Sequence, residues 1–259
     1  MGRLFGTDGV RGIANVELTN ELAYRLGQAA VVFLGKTIIV GKDTRLSGDM
    51  LESALVAGIT SAGGTALLAG IVPTPAVALL VRKLNAAGGA VISASHNPPE
   101  YNGIKLFDAQ GYKLPDAVED QIEAFISEGG LEAARGEEGM PSGPDLGFVV
   151  PLKDAADIYV GHAVSSVRDQ GIDFAGMTIA IDTGHGASCE TSPEALRQLG
   201  AEVHVVNDDY DGTDINVACG STHLEPLRAL VQECAADIGI AHDGDADRVM
   251  LMTSGGDEI

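Results

Sequence analysis

Short apolar runs alternate with amphipathic stretches along the chain. Thr37 to Gly41 is a β-branched apolar run and predicts a strand. Ser47 then stands as a cap before a helical pattern in which Met50, Leu51, Leu55 and Ile59 share one face. Thr65 to Ala69 reads as the next strand, and Thr74-Pro75 opens a helix with proline in its first turn. Gly89 to Ile92, running on into Ala94, reads as a central buried strand. Gly103 to Phe107 and Gly111 to Leu114 predict a short hairpin around Asp108-Ala109-Gln110-Gly111. Asp116 begins an amphipathic helix that ends near Ser127.

Residues 128 to 148 break the pattern with Gly, Glu, Ser and Pro, as in Gly136-Glu137-Glu138-Gly139 and Pro141-Ser142-Gly143-Pro144. Such a stretch reads as the connection between domains. The alternation then resumes: a helix over Leu152 to Val167, a strand over Met177 to Asp182, a helix, and a strand over Glu202 to Val206. A Gly/Asp-rich loop, a helix over Glu225 to Ala235 and strands near Asp237 to Ala241 and Val249 to Thr253 complete it. Alternating elements of this kind specify α/β layers. The expectation is two layered α/β domains with mixed sheets, over residues 1–148 and 149–259.

Composition narrows the chemistry. The chain has 259 residues, enough for two cores, and no tryptophan, so stacking on bases is not its means of recognition. Its net charge of -21 sits almost entirely in the second half. Residues 1–113 carry ten Lys/Arg against eight Asp/Glu, and residues 114–259 carry six against 29. An acidic protein makes nucleic acid and anionic membranes poor partners, while the near-neutral first half keeps cations for a small anion. Three widely spaced cysteines (Cys189, Cys219 and Cys234) without Cys-x-x-Cys spacing predict reduced thiols in the cytoplasm and no zinc site. There is no apolar signal region, Gly6 replaces the hydroxyl residue a myristoyl site needs after Gly2, and the apolar stretch Leu67 to Val81 is broken by Pro73 and Pro75.

Two loops carry the candidate chemistry. Asp243-Gly244-Asp245-Ala246-Asp247-Arg248 follows an apolar strand, and its alternate carboxylates can converge on a hard divalent cation. An EF-hand fails on spacing, because its sixth and twelfth positions would be Arg248 and Ser254. Ser93-Ala94-Ser95-His96-Asn97-Pro98 also follows a strand and offers a hydroxyl nucleophile. Ser93 and Ser95 share one side of an extended chain, so spacing leaves both open. Cations stand in nearby loops: Arg11 at the end of Phe5-Gly6-Thr7-Asp8-Gly9-Val10-Arg11-Gly12, Arg45 in Lys42-Asp43-Thr44-Arg45, and Lys105 in Asn102-Gly103-Ile104-Lys105. They are natural counter-charges for phosphate. Asp182-Thr183-Gly184-His185-Gly186-Ala187 contains one Gly-x-Gly and weakly fits a dinucleotide loop.

At these residues the chain resembles the α-D-phosphohexomutase superfamily over its whole length. The Ser95 to Pro98 and Asp243 to Arg248 motifs carry the superfamily likeness. Ile215-Asn216-Val217-Ala218-Cys219-Gly220-Ser221-Thr222-His223, with Phe5 to Gly9, resembles the glucosamine branch. The resemblance implies that Ser95 is phosphorylated and that it joins Asp243, Asp245 and Asp247 around Mg2+. It further implies that Arg11, Arg45 and Arg248 contact phosphate, that His96 flanks the serine and that Lys105 transfers a proton. The implied reaction interconverts glucosamine 6-phosphate and glucosamine 1-phosphate through a 1,6-bisphosphate, towards UDP-N-acetylglucosamine and the cell wall. The family has four domains, of which the chain resembles the first two, so the implied activity of the chain alone is incomplete. A homodimer through the first domain is the implied assembly. Rival readings are a mannose or glucose phosphate mutase, a non-catalytic metal- or phosphate-binding module, and a phosphatase with an aspartate nucleophile.

Overall fold

Two mixed sheets organise the chain, and each brings the ends of its parallel strands to a common cleft. The computed structural model describes residues 4–6, 8–136 and 139–259. Gly2, Thr7 of the Phe5–Gly12 segment and Glu137-Glu138 of the connection lie outside the described residues.

The first sheet is built from β1 (Val10–Ile13), β2 (Thr37–Lys42), β3 (Thr65–Ile71), β4 (Gly88–Ile92), β5 (Tyr101–Phe107) and β6 (Val149–Pro151), in the order β1-β5-β4-β2-β3-β6. β2, β3, β4 and β6 run parallel, while β5 is antiparallel to both β4 and β1. Its helices are α1 (Asn20–Phe33), α2 (Gly48–Ser61), α3 (Thr74–Lys83), α4 (Asp116–Ser127) and α5 (Gly130–Arg135). Side chains alternate across the sheet, so Ile38, Val40, Ala90 and Ile92 join the core shared with α1, α2 and α4. Ile39 and Val91 face the other way, into a second core with Val77, Leu80 and Val81 of α3. Burial on both faces explains why the central strand β4 is apolar throughout. α1 and α2 pack backbone to backbone: a Cβ on Gly27 would lie 2.1 Å from the Leu55 carbonyl oxygen, and one on Gly58 2.0 Å from that of Tyr24.

The second sheet joins β7 (Thr178–Asp182), β8 (Glu202–Val206), β9 (Ile238–His242) and β10 (Val249–Thr253) in the order β10-β9-β7-β8, with only β10 antiparallel. α6 (Ala155–Arg168), α7 (Thr191–Gln198) and α8 (Glu225–Glu233) accompany it. Leu227 and Val231 of α8 pack with Ala180, Ala241 and Met252. α6 bridges the two halves: Ala155 lies in the α3 core, while Val160 and Val164 pack with Leu199. Among the described residues, no helix is long and apolar enough to cross a membrane.

Several sequence expectations change. The first 36 residues drew no helix or strand from the pattern, yet they supply β1 and α1, the latter capped by Thr19 through the Leu22 N–H. Ser47 makes no cap bond; its backbone is already helical and its Oγ accepts from Asn102 Nδ2 at 2.9 Å. The expected hairpin partner Gly111 to Leu114 is reduced to a single bridge between Phe107 and Lys113. The expected connection contains α5, which is tied to α1 by the Arg25–Glu132 ion pair. Val149–Pro151 pairs with β3, so these residues belong to the first sheet although the sequence division assigns them to the second unit.

Candidate active site

The parallel strands of each sheet end at the cleft, the place where open α/β sheets put their functional loops. From the first half come the loop after β2 (Asp43 to Ser47), the start of α3 and the serine loop after β4. From the second half come the loops after β7 and β9 and the segment around Asn216. Hydrogen bonds cross between them: Thr44 Oγ1 donates to the His185 carbonyl, Leu46 N to the Gly212 carbonyl and Thr74 N to the Asp245 carbonyl.

Ser95 also reaches across the cleft. It is fully buried, and its backbone has φ of +55°, a left-handed conformation uncommon for a residue with a side chain. Its Oγ donates to Asp243 Oδ2 at 2.6 Å and has His96 Nδ1 at 3.5 Å and Arg248 Nη2 at 3.4 Å. The two serines differ in their partners. Ser93 Oγ donates to Asp43 Oδ2 and accepts from Ser95 N, so it builds the loop.

The three aspartates converge. One carboxylate oxygen from each of Asp243, Asp245 and Asp247 lies within 4.8 Å of the others. Asp245 Oδ2 accepts from Thr74 Oγ1 at 2.6 Å and Lys105 Nζ at 2.8 Å, while its buried Oδ1 has no hydrogen-bond partner. Clustered hard oxygen donors with one unmatched buried oxygen fit a small divalent cation. Burial and the neighbouring Asp245 charge push the Asp243 carboxyl up to about 6. Burial acts the same way on Asp245, but Lys105 overrides it and holds that carboxyl below its usual range. Lys105 is desolvated as well, yet Asp245 and Asp247 hold its ammonium above the ordinary lysine value. His96 is held below the usual imidazole range by burial and by Arg248 and Arg11.

The arginines divide into two kinds. Arg11 reaches Asp8 at 3.0 Å through Nη2, and its buried Nε has no partner. Arg248 is half exposed, with Nε 3.9 Å from Asp243 and 3.7 Å from Asp247. Both have donors available to an anion. Arg45 does not, which corrects its expected role. Its Nε donates to Asp43, Nη1 to the carbonyls of Pro98 and Tyr101, and Nη2 to those of Ser95 and Asn97. All five guanidinium donors are engaged by protein.

The Gly-x-Gly loop is also structural. Asp182 accepts from Gly184 N, Gly220 N and Asn207 Nδ2, and a Cβ on Gly186 would strike the Gly244 backbone at 2.5 Å. That packing leaves no cradle for a dinucleotide. Sequence reasoning missed Asp43, Thr74 and Asn216. For Asp43 the Asp-x-Arg spacing was a usable signal; the other two meet their partners only across the cleft.

Comparison with known proteins places this architecture. The family model for phosphoglucomutase/phosphomannomutase α/β/α domain I matches residues 2–132, and that for domain II matches residues 157–256. The chain belongs to the phosphoglucomutase/phosphomannomutase family. It is similar to the phosphoglucosamine mutase of Ruminiclostridium cellulolyticum, with 52% identity over 100% of this chain and 57% of that protein. The phosphoglucosamine mutase of Clostridium acetobutylicum is 53% identical over the same shares, 100% and 57%. A crystal structure of a phosphoglucomutase/phosphomannomutase family protein from Burkholderia thailandensis superposes with a TM-score of 0.78 at 25% identity, over 99% of this chain and 56% of that one. The chain therefore spans little more than half the length of the curated relatives it matches.

Proposed function

We propose that this chain is the phosphoryl-transferring half of a phosphoglucosamine mutase, with Ser95 as the residue that carries the phosphoryl group. The observation behind the reading is the 2.6 Å contact across the cleft between Ser95 Oγ and Asp243, within an aspartate cluster that fits a cation. The relatives' names supply the sugar, glucosamine phosphate. In this reading the first family domain runs through Pro151, because β6 completes its sheet.

Asp243, Asp245 and Asp247 are the residues that would hold Mg2+, together with an oxygen of phosphorylated Ser95. Bound there, the cation would neutralise charge on the transferring group. The chain's own residues do the rest. A sugar hydroxyl attacks the phosphorus on phosphorylated Ser95; its new bond to phosphorus forms as the bond to Ser95 Oγ breaks, the hydroxyl's proton ends on Ser95 Oγ, and a 1,6-bisphosphate results. The reverse displacement at the sugar's other phosphate regenerates phosphoserine. Arg11, through its unpartnered Nε, and Arg248 are placed to take equatorial phosphate oxygens. Lys105 keeps its proton, which suits it to protonate the sugar oxygen that leaves as Ser95 takes the phosphoryl group back.

The test is incubation of the chain with glucose 1,6-bisphosphate and Mg2+, read by intact mass. A gain of one phosphoryl group, lost in Ser95→Ala, is the expected result, followed by transfer to glucosamine 6-phosphate in preference to mannose 6-phosphate. Label elsewhere than Ser95, or none, overturns the assignment of the residue. Preference for mannose overturns that of the sugar.

A further inference from the structure

The segment Ile215 to His223 carries the resemblance to the glucosamine branch, and Asn216 within it faces the serine loop. Asn216 is 9% exposed and sits at φ of +59°, a left-handed conformation that asparagine tolerates. Its backbone N–H is fixed to the Gly184 carbonyl. Its Nδ2 reaches across the cleft and donates to the Ser95 carbonyl at 2.9 Å and the Asn97 carbonyl at 3.2 Å. These are the same two carbonyls that Arg45 Nη2 holds from the first half, at 2.9 and 2.8 Å. Gly244 of the aspartate loop fills the gap: a Cβ there would lie 2.7 Å from Ile215 Cδ1, 2.8 Å from the Ser95 carbonyl oxygen and 2.9 Å from Asn216 Nδ2.

We propose that Asn216 and Arg45 form a two-sided clamp on the serine loop, and that Asn216 is a positioning residue for Ser95 and makes no contact with substrate. The inference rests on the reading of Ser95 as the phosphoryl carrier. The physical logic is that a left-handed serine has no strand or helix to hold it. Its carbonyl must be gripped if Oγ is to stay aimed at the aspartates, and a grip from both halves also sets the spacing between nucleophile and cation site. Donation to two carbonyls needs an amide; a carboxylate of the same shape would repel them.

Asn216→Asp keeps the size and the backbone tolerance and removes the donor, and Arg45→Lys keeps the charge with fewer donors. Both are compared with the unaltered chain in the rate of Ser95 phosphorylation by glucose 1,6-bisphosphate with Mg2+ in excess, with thermal melting to confirm folding. For both variants the expected result is a fall of about 10- to 100-fold in the maximal rate, as for a misplaced reacting atom, with the half-saturating bisphosphate concentration unchanged. The phosphorus resonance of phosphorylated Ser95 is expected to move towards that of free phosphoserine. An unaltered maximal rate in folded Asn216→Asp overturns the clamp. A rise confined to the half-saturating concentration overturns it too, since that marks a substrate contact. If the unaltered chain itself takes up no phosphate, the Ser95 reading fails first, and the clamp falls with it.

Discussion

The serine loop and the aspartate loop face each other across the cleft and are built on opposite principles. The serine loop is held by protein partners: Ser93 binds Asp43, the carbonyls of Ser95, Asn97, Pro98 and Tyr101 bind Arg45, and Asn216 adds a second grip. The aspartate loop collects like charges instead. It leaves Asp245 Oδ1 unmatched and drives the Asp243 carboxyl up to about 6. Under the proposed function the contrast is a division of labour. A nucleophile needs a fixed direction, which costs saturated hydrogen bonding. A cation site needs unmatched negative charge, which costs folding stability. Placing the two on different sheets lets one half carry rigidity while the other carries the electrostatic strain.

The sharpest break in that contrast is Arg45→Ala. It leaves Asp43 buried without its cation and takes the guanidinium from four carbonyls, of which only those of Ser95 and Asn97 keep Asn216 as a donor, so stability measured by chemical denaturation should fall by about 3–5 kcal/mol. A loss below about 1 kcal/mol would mean the serine loop is not held as described. Asp243→Asn should behave in the opposite manner. Mg2+ affinity by titration calorimetry should drop by more than the ~10–100-fold typical of outer-shell partners, while the metal-free chain melts no lower than before. Retained affinity would remove Asp243 from the ligand set.

Gly244→Ala tests the seam between the two loops. Its methyl would meet the Ser95 carbonyl at 2.8 Å, so about 1–3 kcal/mol of overpacking cost is expected, with a slower Ser95 phosphorylation. Unchanged melting would show the loops to be looser than their contacts imply. The smallest effect is on pH. The folded Asp243 carboxyl lies above its unfolded value, so its stabilising proton is held between about 4 and 6 and lost as pH rises through about 6. Metal-free stability should therefore decline over that interval, and Asp243→Asn should flatten the decline. An identical slope in both proteins would refute the strain.

Much of the fold was legible in the chain. β2, β3, β4 and β9 announce themselves as apolar runs because parallel strands are covered on both faces. α1 has a face of Leu22, Leu26 and Ala30, but the apolar run from Ala29 to Phe33 spreads around the helix and blurs its period. α5 escaped because six residues among glycines carry no usable period. The site was legible by type more than by role. Ser95, Lys105 and the three aspartates do meet, but Arg45 was read as a phosphate ligand from its loop position and the family resemblance, when its donors all turn inward.

Local chemistry, written in order along the chain, was enough to specify the layers, the two candidate loops and the residue types that fit a cation. Periodicity and residue type act within a few positions and need no distant partner. Which serine faces the aspartates, which arginine is left to meet an anion, and why Asn216 matters were decided by folding. Each depends on atoms from separate sheets arriving within hydrogen-bond distance, and no one-dimensional spacing encodes that encounter.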